Sequence, residues 1–161
     1  FQKIIATPRN VIHEEELIVN VANAKKAGLL IHACYMVGND GETKQTMEDT
    51  LKLALKLNTD TAQFFPLIPY PGTDAYNLAR SKGYLTLEYD QYCKEDGTHN
   101  TLLNLPGISA EEMVEFCNMA RKKYYLRVSY ILHRLRVGLT DFDDLKRSLK
   151  AFSKLKKYLF R

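Results

Sequence analysis

Chemistry in this chain can gather at two places, where glycines and prolines interrupt apolar runs. The first is Gly38-Asn39-Asp40-Gly41-Glu42-Thr43. Its glycines permit positive φ and close backbone approach, and the helix start behind it offers N–H groups to a carboxylate or phosphate. The second is Pro66-Leu67-Ile68-Pro69-Tyr70-Pro71-Gly72-Thr73. Its prolines lack N–H donors and leave carbonyls to accept from a ligand such as an adenine amino group. The second stretch holds no nucleophile or general base in any obvious arrangement, no catalytic residue is assigned, and each stretch also reads as a tight or stiff packing turn.

Other candidates are weaker. His32 and Cys34 share one face of a strand, yet two ligands fall short of the three or four that a metal requires, and a packed strand accounts for both. His13, His99 and His133 form no ligand spacing, while Glu14-Glu15-Glu16 and Lys122-Lys123 read as solvated faces. Cys34, Cys93 and Cys117 are odd in number and match neither CxxC nor CxxxCxxC. They point to a reducing, cytoplasmic setting rather than a disulfide framework or a metal site.

The elements that must position these turns follow from periodicity. Leu17, Val21, Ala24 and Ala27 mark an amphipathic helix from Glu14, stopped by Gly28. Residues 29–37 are too short for a helix and apolar enough for a strand covered on both faces, as in parallel sheets. Met47, Leu51, Ala54 and Leu55 mark a second helix over 43–57. Thr61 to Phe65 form a second strand, with pairing expected to end at Pro66, and Asp74 to Ser81 a short helix closed by Gly83. This alternation is the rhythm of βαβ units in a parallel sheet. Residues 84–104 read as a long excursion. Ser109 and Glu112 fit a capping box that opens one long helix running to Gly138. Thr140 or Asp141 can cap a further helix bearing Leu145, Leu149, Phe152, Leu155 and Leu159.

Of the 161 residues, 45% are hydrophobic and 26% charged, which excludes collagenous and low-complexity classes. No run approaches the length of a membrane span, and no signal peptide precedes the first helix, so neither membrane insertion nor export is expected. The net charge of +4 is unevenly spread. Ten Lys and Arg face sixteen Asp and Glu through Ala120, and thirteen face three beyond it. The basic tail suits a solvated helix face, an acidic neighbouring domain or, ranked below these, a nucleic acid.

Met36-Val37-Gly38-Asn39-Asp40-Gly41-Glu42-Thr43, followed about twenty residues later by Gln63 through Thr73, resembles the radical S-adenosylmethionine enzymes, most closely their cobalamin-associated branch. There a Val-Gly-x-x-Gly-Glu-Thr turn and a later Tyr-Pro-Gly-Thr turn end the fifth and sixth strands of a partial (β/α) barrel. The likeness covers residues 12–83, and the tail is similar to the branch's helical extension. One departure is Asn39-Asp40, where the family commonly has Leu-Pro. The other is the absence of CxxxCxxC, which holds the family's 4Fe–4S cluster.

The resemblance implies an α/β fold: a partial (β/α) barrel fragment with parallel strands over residues 1–105, followed by a helical extension over 106–161. It implies that Met36, Val37 and Gly38, with Phe65, Pro66 and Leu67, border S-adenosylmethionine. Gly41, Glu42 and Thr43 would shape the adjacent turn, Gln63 would point into the barrel, and Tyr70 and Gly72 would belong to the closing loop. The cluster would sit in the missing N-terminal part of the same enzyme, an iron–sulfur oxidoreductase or methyltransferase, with cobalamin on another domain. The chain starts at Phe1, and a complete barrel needs about 200 to 250 residues, so it reads as the C-terminal half of a larger enzyme. Alone it is expected to be inactive and to oligomerise through uncovered apolar surface.

Overall fold

The computed structural model describes residues 13–86, 101, 103–140 and 146. The chain divides into two compact units, Phe1–Cys117 and Asn118–Arg161.

In the first unit the order is α1 (Glu14–Lys26), β1 (His32–Val37), α2 (Lys44–Leu57), β2 (Thr61–Pro66), α3 (Asp74–Ser81) and the opening of α4 (Ala110–Tyr125). Strands β1 and β2 are adjacent and parallel, with His32 opposite Thr61 and Val37 opposite Pro66. The mixed α/β class and the parallel pairing expected from the βαβ rhythm are therefore present, as a two-stranded sheet among the described residues.

Helix α2 supplies one side of the core. Met47, Leu51, Ala54 and Leu57 are buried, while Leu55, expected on the same stripe, is half-buried. Thr43 caps the helix by accepting from the Thr46 N–H at 3.1 Å, and the Thr46 hydroxyl accepts from the Thr43 N–H at 2.9 Å. At the other end Asn58 adopts the left-handed conformation, φ 46°. Lys25 of α1 donates to the carbonyls of Leu57 and Asn58, both at 2.7 Å, placing a cation at the negative end of the helix. Helix α1 buries none of its residues. Its stripe of Leu17, Val21 and Ala24 is only half-covered, and Ala27 is exposed.

The sheet is covered on one face, not two. Tyr35 and Val37 of β1 and Ala62, Phe64 and Pro66 of β2 are buried, with the Tyr35 and Phe64 rings stacked at 5.0 Å. His32 and Cys34, with Thr61 and Gln63 opposite them, are exposed. The expectation of two covered faces rested on an unbroken apolar run. That run includes Leu29 and Leu30, which lie ahead of β1 and are 61% and 79% exposed.

Pairing also continues past Pro66. The Thr61 N–H donates to Ile31 O and the Leu67 N–H to Val37 O at 2.7 Å. Odd-numbered residues of β2 therefore face β1, and the Pro66 nitrogen points away from the ladder, where its missing hydrogen is not needed.

The two ends of the excursion after α3 meet in an antiparallel bridge, Leu85 with Leu103, and a second bridge, Leu105 with Ile108, follows it. The Ser109 capping box is formed: the Glu112 N–H donates to Ser109 Oγ at 3.2 Å and the Ser109 N–H to Glu112 Oε2 at 2.8 Å.

The expected single helix is two: α4, which runs from the first unit into the second, and α5 (Val128–Thr140) within the second. Arg127 marks the break. Its Nε donates to Tyr124 O at 2.8 Å, and its guanidinium lies 4.3 Å from the Tyr124 ring centroid and 5.8 Å from that of Tyr130. A side chain that satisfies a helix-terminal carbonyl and lies over two rings favours a helix end here over continuation. Gly138 lies within α5 rather than at its end. The helix expected after Thr140 lies outside the described residues, apart from Lys146.

Candidate functional site

Because β1 and β2 are parallel and in register, their carboxyl ends are level, and the two glycine-bearing turns leave the sheet on the same side. In open α/β sheets ligands bind beyond these ends. The twelve residues assigned to cofactor binding divide into four settings there.

Met36, Gln63 and Phe65 belong to the uncovered face. Met36 and Phe65 are register partners at its rim, both half-buried; Gln63 lies one layer deeper opposite Cys34 and is exposed. Below them the His32 Nδ1 and Thr61 Oγ1 share a hydrogen bond of 2.7 Å. The result is an apolar rim above a polar floor. Val37 and Pro66 sit at the same level but face the opposite way, buried in the core. Strand alternation forbids both Met36 and Val37 from lining one pocket with their side chains.

Gly38, Gly41, Glu42 and Thr43 form the first turn. Gly38 has φ +98° and Gly41 +81°. Glu42 is 5% exposed. Its carboxylate accepts from the Gly38 N–H at 3.1 Å and from the Thr46 hydroxyl, and of the helix-start donors expected for a ligand the Thr46 N–H is taken by Thr43 Oγ1. Nor is Gly38 open to approach: a β-carbon there would lie 2.8 Å from Met113 Sδ of α4. Asp40, in the departure from Leu-Pro, receives Lys82 Nζ at 2.7 and 2.8 Å, tying the turn to the end of α3. This contact holds the Lys82 ammonium above its ordinary pKa.

Leu67, Tyr70 and Gly72 belong to the second turn. Leu67 is half-buried, Tyr70 is 52% exposed and Gly72 has φ +87°. Thr73 closes the loop by donating its hydroxyl to Tyr70 O at 2.7 Å and capping α3.

Three positioning groups lie outside the twelve. Lys44 donates to Glu112 Oε1 at 2.6 Å, joining the starts of α2 and α4. Met113, fully buried, plugs the space over Gly38. Thr46 completes the cap of α2; of the three, only this one had a local signal, in the Thr43-x-x-Thr46 spacing. A recess of about 490 Å³ lined by His13, Glu14, Glu15, Ile18 and Lys56 involves the end of α2 and so lies where the strands begin, away from both turns.

Among the described residues no group of three His, Cys, Asp or Glu side chains is placed to hold a metal ion, and no helix is long and apolar enough to cross a membrane. Cys34 is exposed and Cys117 buried. No family model matches the chain. The chain is similar to an uncharacterized methyltransferase of Pyrococcus horikoshii, with 30% identity over 122 residues, 75% of this chain and 26% of that protein. It thus spans about a quarter of the length of the curated relative it matches.

Proposed function

We propose that this chain is part of a radical S-adenosylmethionine enzyme of the cobalamin-associated branch, of methyltransferase rather than oxidoreductase type, and that β1 and β2 form one wall of its cofactor pocket. The observation that carries the reading is the adjacency of two parallel, in-register strands whose glycine-bearing turns open on the same side. The relative's description as a methyltransferase, and its much greater length, accord with it.

The residues present fit an adenosyl group in kind. Met36 and Phe65 offer an apolar rim, Gln63 an amide beneath it, and the loop from Leu67 to Tyr70 backbone carbonyls. Bound there, the cofactor would supply the transferable methyl or the adenosyl group. Glu42 and Met113 hold the first turn in shape from behind, and Val37 and Pro66 anchor the strand ends in the core. The described residues do not fit a 4Fe–4S cluster, since they bring no three ligands together; a cluster and a cobalamin would be held by other parts of the polypeptide.

The test is equilibrium dialysis with labelled S-adenosylmethionine, using the longest natural polypeptide that contains this chain, reconstituted anaerobically. Phe65→Ala is expected to weaken binding by roughly ten-fold through lost apolar burial, and Gln63→Ala by several-fold, while Lys52→Ala on α2 leaves it unchanged. Absence of binding, or equal affinity of the Phe65 and Gln63 variants and the parent, refutes the assignment.

A further inference from the structure

Helix α3 is fastened to both glycine-bearing turns. At its start Thr73 caps it and donates its hydroxyl to Tyr70 O of the second turn at 2.7 Å. At its other end the C-cap residue, Lys82, donates through Nζ to both carboxylate oxygens of Asp40 in the first turn, at 2.7 and 2.8 Å. Eight residues rising 1.5 Å each span about 12 Å, so the helix bridges one turn to the other at the carboxyl end of the sheet. Packing holds it weakly. Ala79 is its one buried residue, Ala75 and Tyr76 are half-buried, and Leu78 is 41% exposed. Glycines of positive φ flank it, Gly72 at +87° and Gly83 at +69°, and a β-carbon at either would meet nothing within 4 Å.

We propose that α3 is a strap hinged at Gly72 and Gly83, and that the Asp40–Lys82 ion pair is the latch that holds it to the first turn and so limits exchange of the cofactor. The strap is independent of the cofactor assignment, whereas its role as a gate rests on that reading. An element with few buried apolar contacts opens locally at low cost, and hinge motion falls on the few residues free to absorb a change of φ and ψ. The latch is suited to repeated opening. Its side chains are 38% and 43% exposed, so the pair breaks and re-forms in water and weakens with salt. The Tyr84 ring, its centroid 5.7 Å from Lys82 Nζ, gives the released ammonium a second resting place.

The experiment compares the parent, Lys82→Met and the exchanged pair Asp40→Lys with Lys82→Asp, in the longest natural polypeptide that contains this chain. Hydrogen–deuterium exchange read by mass spectrometry reports on the strap, and release of labelled S-adenosylmethionine reports on the gate. Lys82→Met is expected to speed exchange in peptides covering residues 74–83 roughly two- to five-fold and to speed release by a similar factor, with α2 peptides and the urea midpoint little changed. The exchanged pair should return both rates toward the parent's, an outcome that loss of packing alone would not give. Raising salt should speed release from the parent and not from Lys82→Met. Unchanged exchange over 74–83 in Lys82→Met overturns the strap, and failure of the exchanged pair to restore either rate overturns the latch. Faster exchange with unaltered release overturns the gate. A parent that binds no S-adenosylmethionine refutes the cofactor assignment and the gate with it, while the exchange comparison still decides the strap.

Discussion

Substituting alanine at Gly38 and, separately, at Gly41 isolates the contact that seals the first turn. Both glycines have positive φ, +98° and +81°, so an added β-carbon strains either backbone by about 1–2 kcal/mol. Each alanine also narrows the unfolded ensemble, returning about 0.4–1 kcal/mol. Gly41→Ala meets nothing within 4 Å, and its net cost should be about 0.5–1 kcal/mol. Gly38→Ala additionally drives its β-carbon to 2.8 Å from Met113 Sδ. Methionine is flexible, but this one is fully buried, so displacing it adds about 1–2 kcal/mol. Urea denaturation should therefore rank Gly38→Ala about 1–2 kcal/mol below Gly41→Ala. In the double variant with Met113→Ala the costs should fall short of the sum by a similar amount, since the cavity left by methionine accepts the new methyl. Equal destabilisation by the two glycine variants, or strict additivity with Met113→Ala, would refute the view that α4 closes over the end of β1.

Two further outcomes follow from individual contacts. Glu112 is held below the ordinary glutamate pKa first by the hydrogen bond from Lys44 and then by the Ser109 N–H; its contribution is therefore complete at neutral pH and is lost as pH falls from the ordinary glutamate value through the lowered one. Glu112→Gln should lower the urea midpoint at neutral pH and converge with the parent at acid pH, so that the acid limb of a urea-midpoint series becomes flatter. Arg127→Ala removes a hydrogen bond to Tyr124 O and stacking on two tyrosines, for an expected loss of about 1–2 kcal/mol in denaturant unfolding, with Arg127→Lys recovering part of it.

The elements around the site were legible in the sequence because their signals are local. Met47, Leu51 and Ala54 repeat with the helical period, the Ser109–Glu112 spacing announces a cap, and two short apolar runs flanking a helix imply parallel strands. What escaped was set by partners distant in sequence. Met113 sits on a stripe that any core methionine would share, and nothing nearby indicates that it reaches Gly38. The alternation separating Met36 from Val37 was readable in principle, but an apolar residue at each position concealed which side was covered. The break at Arg127 was hidden because the apolar period continues through it, and what ends the helix there is a side chain that caps Tyr124 O and lies over two rings. The pairing of Asp40 with Lys82 gives the Asn39-Asp40 departure a tether of its own.

The proline that closes β2 limits how the sheet can grow. Its nitrogen looks outward, away from β1, so a foreign segment zipping along that flank would find a rung it cannot fasten at the end nearest the two turns. Docking by strand addition is thereby discouraged at the end of β2 where the proposed pocket would open, and a single imino acid suffices for it.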